Sequence, residues 1–319
     1  MIRFNLSELE TGVKKAPLKL LIYGDNGVGK STFASEAESC VFMDIEGNID
    51  HLNAVPKQSL DTWEECLEFM RSLIGQQHSF KTLIIDSLEA LEQKIWKHIC
   101  IIHKAKGIDD PQVFKFGKGY ALALDIWRSF LENLNHIRRR RGMSIIFIGH
   151  AGIRKHENLE GTTFDRYELR INAKAAGLIS DWVNCILFAN TEVKIEENKY
   201  ERNPKAKKKV RLGNRIINTT CNASYLAKNI YNLPEKLPLD WDIFHSKVEE
   251  FYKSHGVEDV PGHKESEGKA DQVLKLFEVK GFSEDTIEEI LGEFETTKEN
   301  LKDLENEELE EIIDRIKGE

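Results

Sequence analysis

The sequence predicts an α/β protein built on a mainly parallel sheet, and three observations support that class. Four apolar runs of strand length lie within residues 18–150, longer helical patterns separate them, and the 319-residue chain is long enough for one large core. Strands that are apolar almost throughout are typical of a parallel sheet covered by helices on both faces. We therefore expect an α/β core with a small helical appendage.

The elements of the predicted core follow one another in regular alternation. The strands are KLLIY (19–23), CVFMD (40–44), TLIID (82–86) and SIIFIG (144–149). The helical patterns fall near 31–38, 61–74, 87–103 and 119–140. Beyond them, VNCILFAN (183–190) and RIINTT (215–220) predict two further strands, joined through a polar hairpin.

The composition changes after residue 253. Residues 254–269 are rich in Gly, Pro and charged side chains, which is typical of a linker, and residues 270–319 carry helical apolar periodicity. We predict a core over 1–253, a linker over 254–269 and an acidic helical appendage over 270–319.

Charge is divided unevenly along the chain. The formal net charge is −9, and residues 264–319 contribute roughly −11 of it, with about nineteen acidic and about eight basic side chains, so the rest carries about +2. A nearly neutral body with basic loops leaves a nucleic-acid partner open. The acidic appendage is a candidate docking module for a replication or recombination protein.

Several classes of protein are disfavoured. The sequence has no apolar run long enough to span a membrane and no apolar core of a signal peptide near its start, so we expect a cytoplasmic protein. The five cysteines are scattered without a CxxC pair, and the histidines offer no convincing metal spacing. The sequence thus predicts neither a disulfide framework nor a zinc site.

The strongest motif is GDNGVGKS, which fits the pattern GxxxxGKS and lies between an apolar strand and a helical run, as a P-loop requires. Its backbone N–H groups are expected to hold phosphate oxygens, Lys30 to carry positive charge over the β- and γ-phosphates, and Ser31 to bind Mg²⁺. We predict ATP and Mg²⁺ as cofactors. The predicted nucleotide-binding residues are Gly24, Asp25, Asn26, Gly27, Val28, Gly29, Lys30, Ser31 and Thr32.

A second motif, KTLIIDSLEAL (81–91), ends its apolar strand in Asp86. An aspartate at the carboxyl end of a strand that neighbours the P-loop strand can bind Mg²⁺ through water. We therefore predict Asp86, together with Ser31, as the metal site.

The order of P-loop, FMDIEGNID, LIIDSLEAL and SIIFIGHAGIRKH resembles the core of RecA-type recombinases, and more closely the shortened RecA-like ATPases of phages that serve in single-strand annealing and recombination. The resemblance covers about residues 17–235, so it implies a RecA-like ATPase core over the first predicted domain. It also implies that Glu46 polarises the attacking water while Asp44 fixes the strand end. A solvated turn residue is the alternative for Glu46.

The resemblance also implies a γ-phosphate sensor at the end of the fourth strand, where this sequence has His150 in place of the glutamine of RecA. An imidazole can donate to a phosphate, and its protonation predicts a pH-sensitive switch. A histidine whose hydrogen bonds are merely satisfied at a strand end is the alternative.

Two segments are candidates for contact with single-stranded DNA. Residues 104–120 interleave lysines with aromatic side chains, and residues 151–174 combine arginines with a tyrosine. Small local cores and solvated charges are the alternatives. The residues concerned are Phe114, Lys115, Phe116, Lys118 and Tyr120 in the first segment, and Arg154, Lys155, Arg166, Tyr167 and Arg170 in the second.

Three other groups of basic residues are candidates for contact with DNA or with a neighbouring subunit. The run RRRR at 138–141 ends a helical pattern, where cations also complement the helix dipole. The lysines of KAKKK (205–209) lie near a predicted hairpin tip. Lys228 resembles a basic residue that RecA-type ATPases insert into a neighbouring subunit's nucleotide site, although Ile230 stands where a second one is usual.

Together these features predict an ATPase that binds single-stranded DNA and assembles into rings or filaments for annealing or strand exchange during phage recombination. A nucleotide-dependent switch, a helicase loader or a translocase in a replication or packaging assembly is the alternative. DNA-independent hydrolysis would indicate the switch, and action on duplex or forked DNA the loader or translocase.

Overall fold

The computed structural model describes residues 11–52, 56–157, 161–196 and 209–257, together with a discontinuous set of residues within 273–316. The chain divides into two compact units, Met1–Glu258 and Asp259–Glu319. Most of the predicted linker, from residue 258 onward, and the predicted hairpin tip at 205–208 lie outside the described residues. Each unit is taken by itself below.

The first unit contains ten strands, six α-helices and a short 3-10 helix (Lys115–Gly117) in its described residues. The strands are β1 (Lys19–Gly24), β2 (Cys40–Asp44), β3 (Lys57–Ser59), β4 (Thr82–Asp86), β5 (Ser144–Glu157), β6 (Thr163–Leu169), β7 (Cys185–Glu196), β8 (Lys209–Asn218), β9 (Lys228–Asn229) and β10 (Lys236–Pro238). The helices are α1 (Lys30–Ser35), α2 (Trp63–Gly75), α3 (Leu88–His103), α4 (Lys118–Arg141), α5 (Ala173–Trp182) and α6 (Trp241–Ser254).

The strands form one sheet in the order β10-β8-β7-β1-β5-β4-β2-β3, with β6 added to β5 and β9 to β7. The central pairs are parallel, from β7 through β1, β5, β4 and β2 to β3. The pairs that involve β6, β8, β9 and β10 are antiparallel. The predicted α/β class with a mainly parallel sheet is confirmed.

One predicted neighbourhood in the sheet is wrong. We expected the strand that ends in Asp86 to lie beside the P-loop strand, but β5 lies between β4 and β1 and pairs with both of them. All three strands are apolar and buried, so their composition does not distinguish which one occupies the middle position.

Helices cover both faces of the sheet, and each face has its own apolar core. On one face, α2, α3, α4 and α5 pack over side chains such as Phe147 and Trp127. On the other face α1 and α6 meet, where the Phe33 ring lies 5.4 Å from that of Trp241 and 5.8 Å from that of Phe244. Burial on both faces explains why the central strands are apolar throughout.

The segment predicted as a second DNA loop is mostly a β-hairpin. Strand β5 continues past the sheet to Glu157 and pairs with β6 from Ala151↔Leu169 to Glu157↔Thr163. An aromatic stack holds the hairpin against the sheet, because the Tyr167 ring lies 5.3 Å from that of Phe188, which in turn lies 4.8 Å from that of Tyr225. The turn at 158–160 is outside the described residues.

A buried carboxylate joins α3 to the start of α5. Both oxygens of Glu92 accept the backbone N–H of Asn172, at 2.9 and 3.1 Å, and Glu92 is only 4% exposed. Burial raises the pKa of Glu92 to about 7. A carboxylic acid whose pKa is raised by folding binds its proton more tightly in the native state than in the unfolded chain.

We therefore expect the free energy of unfolding to fall as pH rises between about 4.5 and 7, by at most about 3 kcal/mol from this group. Glu92→Gln keeps one acceptor for Asn172 and removes the ionisation, so its fall over this window should be smaller. Denaturant unfolding at the two ends of the window measures the difference. The exposed Glu38→Gln serves as control, and an equal fall in Glu92→Gln and the wild type would contradict the prediction.

The second unit is helical in its described part. Helix α7 (Glu284–Gly292) begins at the N-cap Ser283, whose side chain accepts the N–H of Thr286. Its apolar face contributes Ile287, Ile290 and Leu291 to a core that also contains Phe277. None of the helices within the described ranges of the chain combines the length and apolarity that a membrane crossing requires.

Candidate functional site

The turn that contains the P-loop motif lies between β1 and α1 and depends on its glycines at two places. A Cβ on Gly24 would lie 1.9 Å from the backbone oxygen of Ala189 on the adjacent strand. Gly29, the residue before α1, has φ 109°, which an L side chain rarely adopts. The turn therefore favours glycine at both positions, by a steric clash at Gly24 and by backbone conformation at Gly29.

Lys30 is buried, with 5% of its surface exposed. Its Nζ donates to the backbone oxygens of Gly24, at 3.2 Å, and Asp25, at 2.8 Å. Burial lowers the pKa of Lys30, and the nearby carboxylates, Asp86 first among them, oppose that shift. The ammonium is thus held inside the turn, where a bound phosphate chain would lie.

Ser31, in the first turn of α1, is in direct contact with Asp86, at the end of β4, although β5 lies between β1 and β4. The Ser31 hydroxyl donates to Asp86 Oδ2 at 2.6 Å. Burial raises the pKa of Asp86 to about 6, with Glu46 and Asp44 adding to the effect and the hydrogen bond from Ser31 opposing it. Two oxygen ligands side by side, one of them a carboxylate, fit the hard-ligand preference of Mg²⁺.

The two carboxylates after β2 have different surroundings. Asp44 is buried, and its Oδ1 accepts the N–H of Gly47 at 2.8 Å, so it holds the turn together. Glu46 Oε1 accepts the Ser87 hydroxyl and lies 3.3 Å from His150 Nε2. Glu46 therefore contacts the other polar groups of the site, whereas Asp44 is hydrogen-bonded to the backbone of its own turn.

His150 lies on β5 at the edge of the same cluster, and its backbone N–H donates to Glu89 Oε1 at 2.8 Å. Burial, aided by the charge of Lys30, lowers the pKa of His150 to about 4, although Glu46 acts in the opposite direction. The imidazole is therefore neutral at ordinary pH. A pKa this low does not support the predicted pH-sensitive switch in the neutral range, because desolvation of the ring outweighs its carboxylate neighbour.

In the first candidate DNA segment, most of the aromatic side chains serve a local core. Phe114 is buried, and Tyr120 packs edge-on against Trp96 with ring centroids 5.6 Å apart. Phe116 is fully exposed, between the exposed Lys115 and Lys118. The candidate contact surface in this segment is thus reduced to these three residues, which we name the Phe116 tip.

In the second segment, part of the basic set is used within the fold. Arg154 donates to the backbone oxygen of Ile171, and Arg166 to Cys221 Sγ at 3.2 Å. Lys155 and Arg170 are exposed. Tyr167 belongs to the aromatic stack described above.

Lys228, for which the resemblance implied a role in a neighbouring subunit, makes hydrogen bonds within its own chain, and the role in trans stays a prediction. Its Nζ donates to the backbone oxygens of Ser180, at 3.0 Å, and Val183, at 2.6 Å. These carbonyls lie at the carboxyl end of α5, where a cation satisfies acceptors that the helix leaves unpaired. The side chain thus has a role within its own fold.

The arginine run is divided between two uses. Arg138 donates to the backbone oxygen of Pro17 at 2.7 Å, and Arg141 donates to that of Ile74. Arg139 and Arg140 are exposed. The outer arginines of the run therefore attach the end of α4 to neighbouring segments, and the inner two face solvent.

Three polar residues of the site were missed in the sequence. Ser87 contacts Glu46, Glu89 contacts the backbone of His150, and Arg215 on β8 approaches the P-loop, with Nη1 3.3 Å from a Cβ built on Gly29. Ser87 and Glu89 closely follow Asp86, so the polar residues after that strand were an available signal. The position of Arg215 depends on the sheet order, which no local pattern shows.

Two known proteins are similar to parts of this chain. A protein from Bacillus subtilis (strain 168), "SPbeta prophage-derived uncharacterized protein YorG", is 20% identical over 158 residues, which are 48% of this chain and 46% of that protein. The chain therefore matches less than half the length of that relative. Among solved structures, "Crystal structure of the RadB recombinase" has 14% identity and a TM-score of 0.35, over 63% of this chain and 80% of that one.

The family evidence covers more of the chain. A sequence model of the family described as "AAA domain" matches residues 16–231, which include the P-loop, Glu46, Asp86 and His150. Because this match spans more than half of the chain, the chain belongs to the AAA domain family and is a nucleotide-binding P-loop protein of the ATPase class.

Proposed function

We propose that the protein binds ATP with Mg²⁺, hydrolyses it, and uses this cycle on single-stranded DNA in phage recombination or annealing. The observation that carries the proposal is the contact between Ser31 and Asp86, beside Lys30 and within one cluster with Glu46. Phosphate binding, metal binding and a candidate base thus occupy one end of the parallel sheet.

Each residue has a proposed part in hydrolysis. Backbone amides of residues 24–32 and the Lys30 ammonium bind and orient the phosphate chain, which holds the γ-phosphate toward Glu46. Ser31 and Asp86 would hold Mg²⁺, and the ion would neutralise charge on the phosphate chain. Glu46 accepts hydrogen bonds in the present structure and orients the attacking water, while neutral His150 donates from one ring nitrogen to the γ-phosphate.

Support for a single-stranded DNA partner comes from exposed groups. The Phe116 tip presents an aromatic ring between two lysines, which suits stacking on a base with contacts to its phosphates. Lys155 and Arg170 add exposed positive charge on the hairpin segment. The similarity to a prophage-derived protein supports a phage setting.

Measurement of ATP hydrolysis with and without single-stranded DNA tests the proposal. We expect DNA to raise the turnover, and Phe116→Ala to weaken DNA binding about tenfold, since stacking on one base contributes about 1–3 kcal/mol. Ile102→Ala, which trims another exposed apolar side chain, is the control. Hydrolysis that is indifferent to DNA would contradict the DNA role and favour a nucleotide-dependent switch, and stimulation by duplex or forked DNA alone would favour a loader or translocase.

Two kinds of protein partner belong to the same proposal. Self-association into a ring or filament would bring the nucleotide site against a neighbouring subunit, with Lys228 as the predicted basic residue in trans. The acidic C-terminal unit, which has its own apolar core, suits docking of a basic surface on a replication or recombination protein.

A further inference from the structure

Three metal-ligating side chains from separate parts of the chain meet beside the candidate magnesium site. Glu46 follows β2, Glu89 lies in the first turn of α3, and His150 lies on β5. One ligand atom from each lies within 4.8 Å of the other two. We name these three residues the Glu-Glu-His cluster.

The hydrogen bonding of this cluster is incomplete on one side. Glu46 Oε1 and His150 Nε2 are 3.3 Å apart, and Glu89 Oε1 accepts the N–H of His150. Glu89 Oε2 and His150 Nδ1 are buried without a well-formed hydrogen bond among the residues that the structure describes, since the Ser87 hydroxyl beside Glu89 donates to Glu46. Buried polar atoms in native proteins are nearly always paired, so two such atoms in one cluster require an explanation.

The charges of the cluster point to a cation. Glu46, Glu89 and the adjacent Asp86 are carboxylates, and burial raises the pKa of Glu89. Lys30 acts electrostatically on all three carboxylates, and Arg170 acts on Glu89, so three carboxylates face two basic side chains. A metal ion bound by one atom of each residue would offset the carboxylate excess, whereas a further hydrogen bond between neutral groups would leave the net charge unchanged.

The ligand set indicates which class of metal. Mg²⁺ prefers oxygen ligands with several waters, whereas imidazole suits Zn²⁺ and neighbouring transition metals. Three protein ligands with further coordination left open are typical of accessible zinc-class sites. We propose that the Glu-Glu-His cluster binds a divalent transition metal of the zinc class, at a site distinct from the Ser31–Asp86 magnesium site.

Occupation of this cluster has a consequence that rests on the proposed function. A zinc-class ion in this cluster is coordinated by the same Glu46 carboxylate that is proposed to orient the attacking water. Bound metal therefore restrains ATP hydrolysis, and release of the metal restores it. The cluster makes the ATPase responsive to transition-metal supply.

Titration of the full chain with Co²⁺, in a large excess of Mg²⁺ and without nucleotide, tests binding independently of hydrolysis. We expect stoichiometric binding with visible absorption bands from a nitrogen- and oxygen-ligated ion. Glu89→Gln and His150→Gln each remove one ligand and keep a hydrogen-bonding group, and each should lower the Co²⁺ affinity by at least about tenfold. Thermal unfolding of both variants checks that the fold is retained.

Two control variants separate this site from others. His156→Ala removes a histidine outside the cluster, whose Nε2 lies 2.9 Å from Glu168 Oε1, and should leave Co²⁺ binding unchanged. Asp86→Asn disrupts the magnesium site and should also leave it in place. Unchanged Co²⁺ binding in both Glu89→Gln and His150→Gln, or its loss in Asp86→Asn, would overturn the proposal. Co²⁺ binding without any ATP hydrolysis would contradict the proposed function and leave the metal site standing.

Discussion

Replacement of Lys30 by alanine is expected to reduce ATP hydrolysis by about 10³-fold or more, the upper range for loss of one preorganised electrostatic group. The Lys30 ammonium is buried in the P-loop turn and donates to the backbone oxygens of Gly24 and Asp25. A triphosphate bound at this turn would replace these backbone oxygens as the partner of the Lys30 ammonium. The alanine variant leaves the glycine turn in place and the phosphate charge uncompensated.

The fold should survive this substitution. Burial lowers the pKa of Lys30, so its charged form is disfavoured in the native state, and the loss of two hydrogen bonds is partly offset by removal of a buried charge. We expect a change in the free energy of unfolding within about 1–2 kcal/mol. Thermal unfolding without nucleotide measures it.

A matched control uses a lysine that is exposed on α3. Lys97→Ala removes the same side chain away from the site and should hydrolyse ATP as the wild type does. Steady-state turnover and ATP binding are compared for both variants. Wild-type hydrolysis in Lys30→Ala would reject the assignment of residues 24–32 as the nucleotide site.

Features that depend on local pattern were readable from the sequence. The parallel strands are apolar because both faces of the sheet are covered, and the helical periods between them matched α2, α3 and α4 to within two residues. The P-loop needs its glycines in a contiguous stretch, so the motif is visible without the fold. Local chemistry and periodicity therefore predicted the core and the position of the phosphate-binding turn.

Features that depend on tertiary packing were not readable in the same way. Strand β5 lies between β1 and β4. Because all three strands are similarly apolar, their sequences do not show this order. In the sequence, Lys228 resembled a residue that reaches a neighbouring subunit and Arg141 belonged to a run suited to the helix dipole or to DNA, yet each satisfies backbone carbonyls of a distant segment. Such carbonyls carry no sequence signal, because every residue has one.

Part of the candidate site could be predicted from local sequence, and part depends on tertiary packing. Ser31 and Asp86 were predicted from motifs, and the structure brings them to 2.6 Å. The Glu-Glu-His cluster combines residues 43 to 104 positions apart in the chain, and histidine spacing alone indicated no metal. The cluster forms because the carboxyl ends of β2 and β4 lie beside the middle of β5 in the parallel sheet.

Replacement of Glu46 by glutamine is expected to slow ATP hydrolysis by about 10²-fold or more while ATP binding is retained, since that is the usual contribution of a general base. The glutamine side chain has the same length and can still accept from the Ser87 hydroxyl, so the contacts of the turn are preserved. The change removes the negative charge that we propose orients and deprotonates the attacking water. Single-turnover hydrolysis and equilibrium binding of ATP, measured on the same preparation, separate the two effects.

Asp44→Asn is the matched comparison, because it makes the same change from carboxylate to amide two residues earlier. Asp44 accepts the N–H of Gly47 at 2.8 Å and is buried, and its pKa is raised by that burial, so an amide oxygen can replace it at small cost. We expect this variant to lose some stability in the turn and to retain most of its hydrolysis. If Asp44→Asn stops turnover and Glu46→Gln leaves it unchanged, the base is Asp44, and the contacts of Glu46 with Ser87 and His150 are structural.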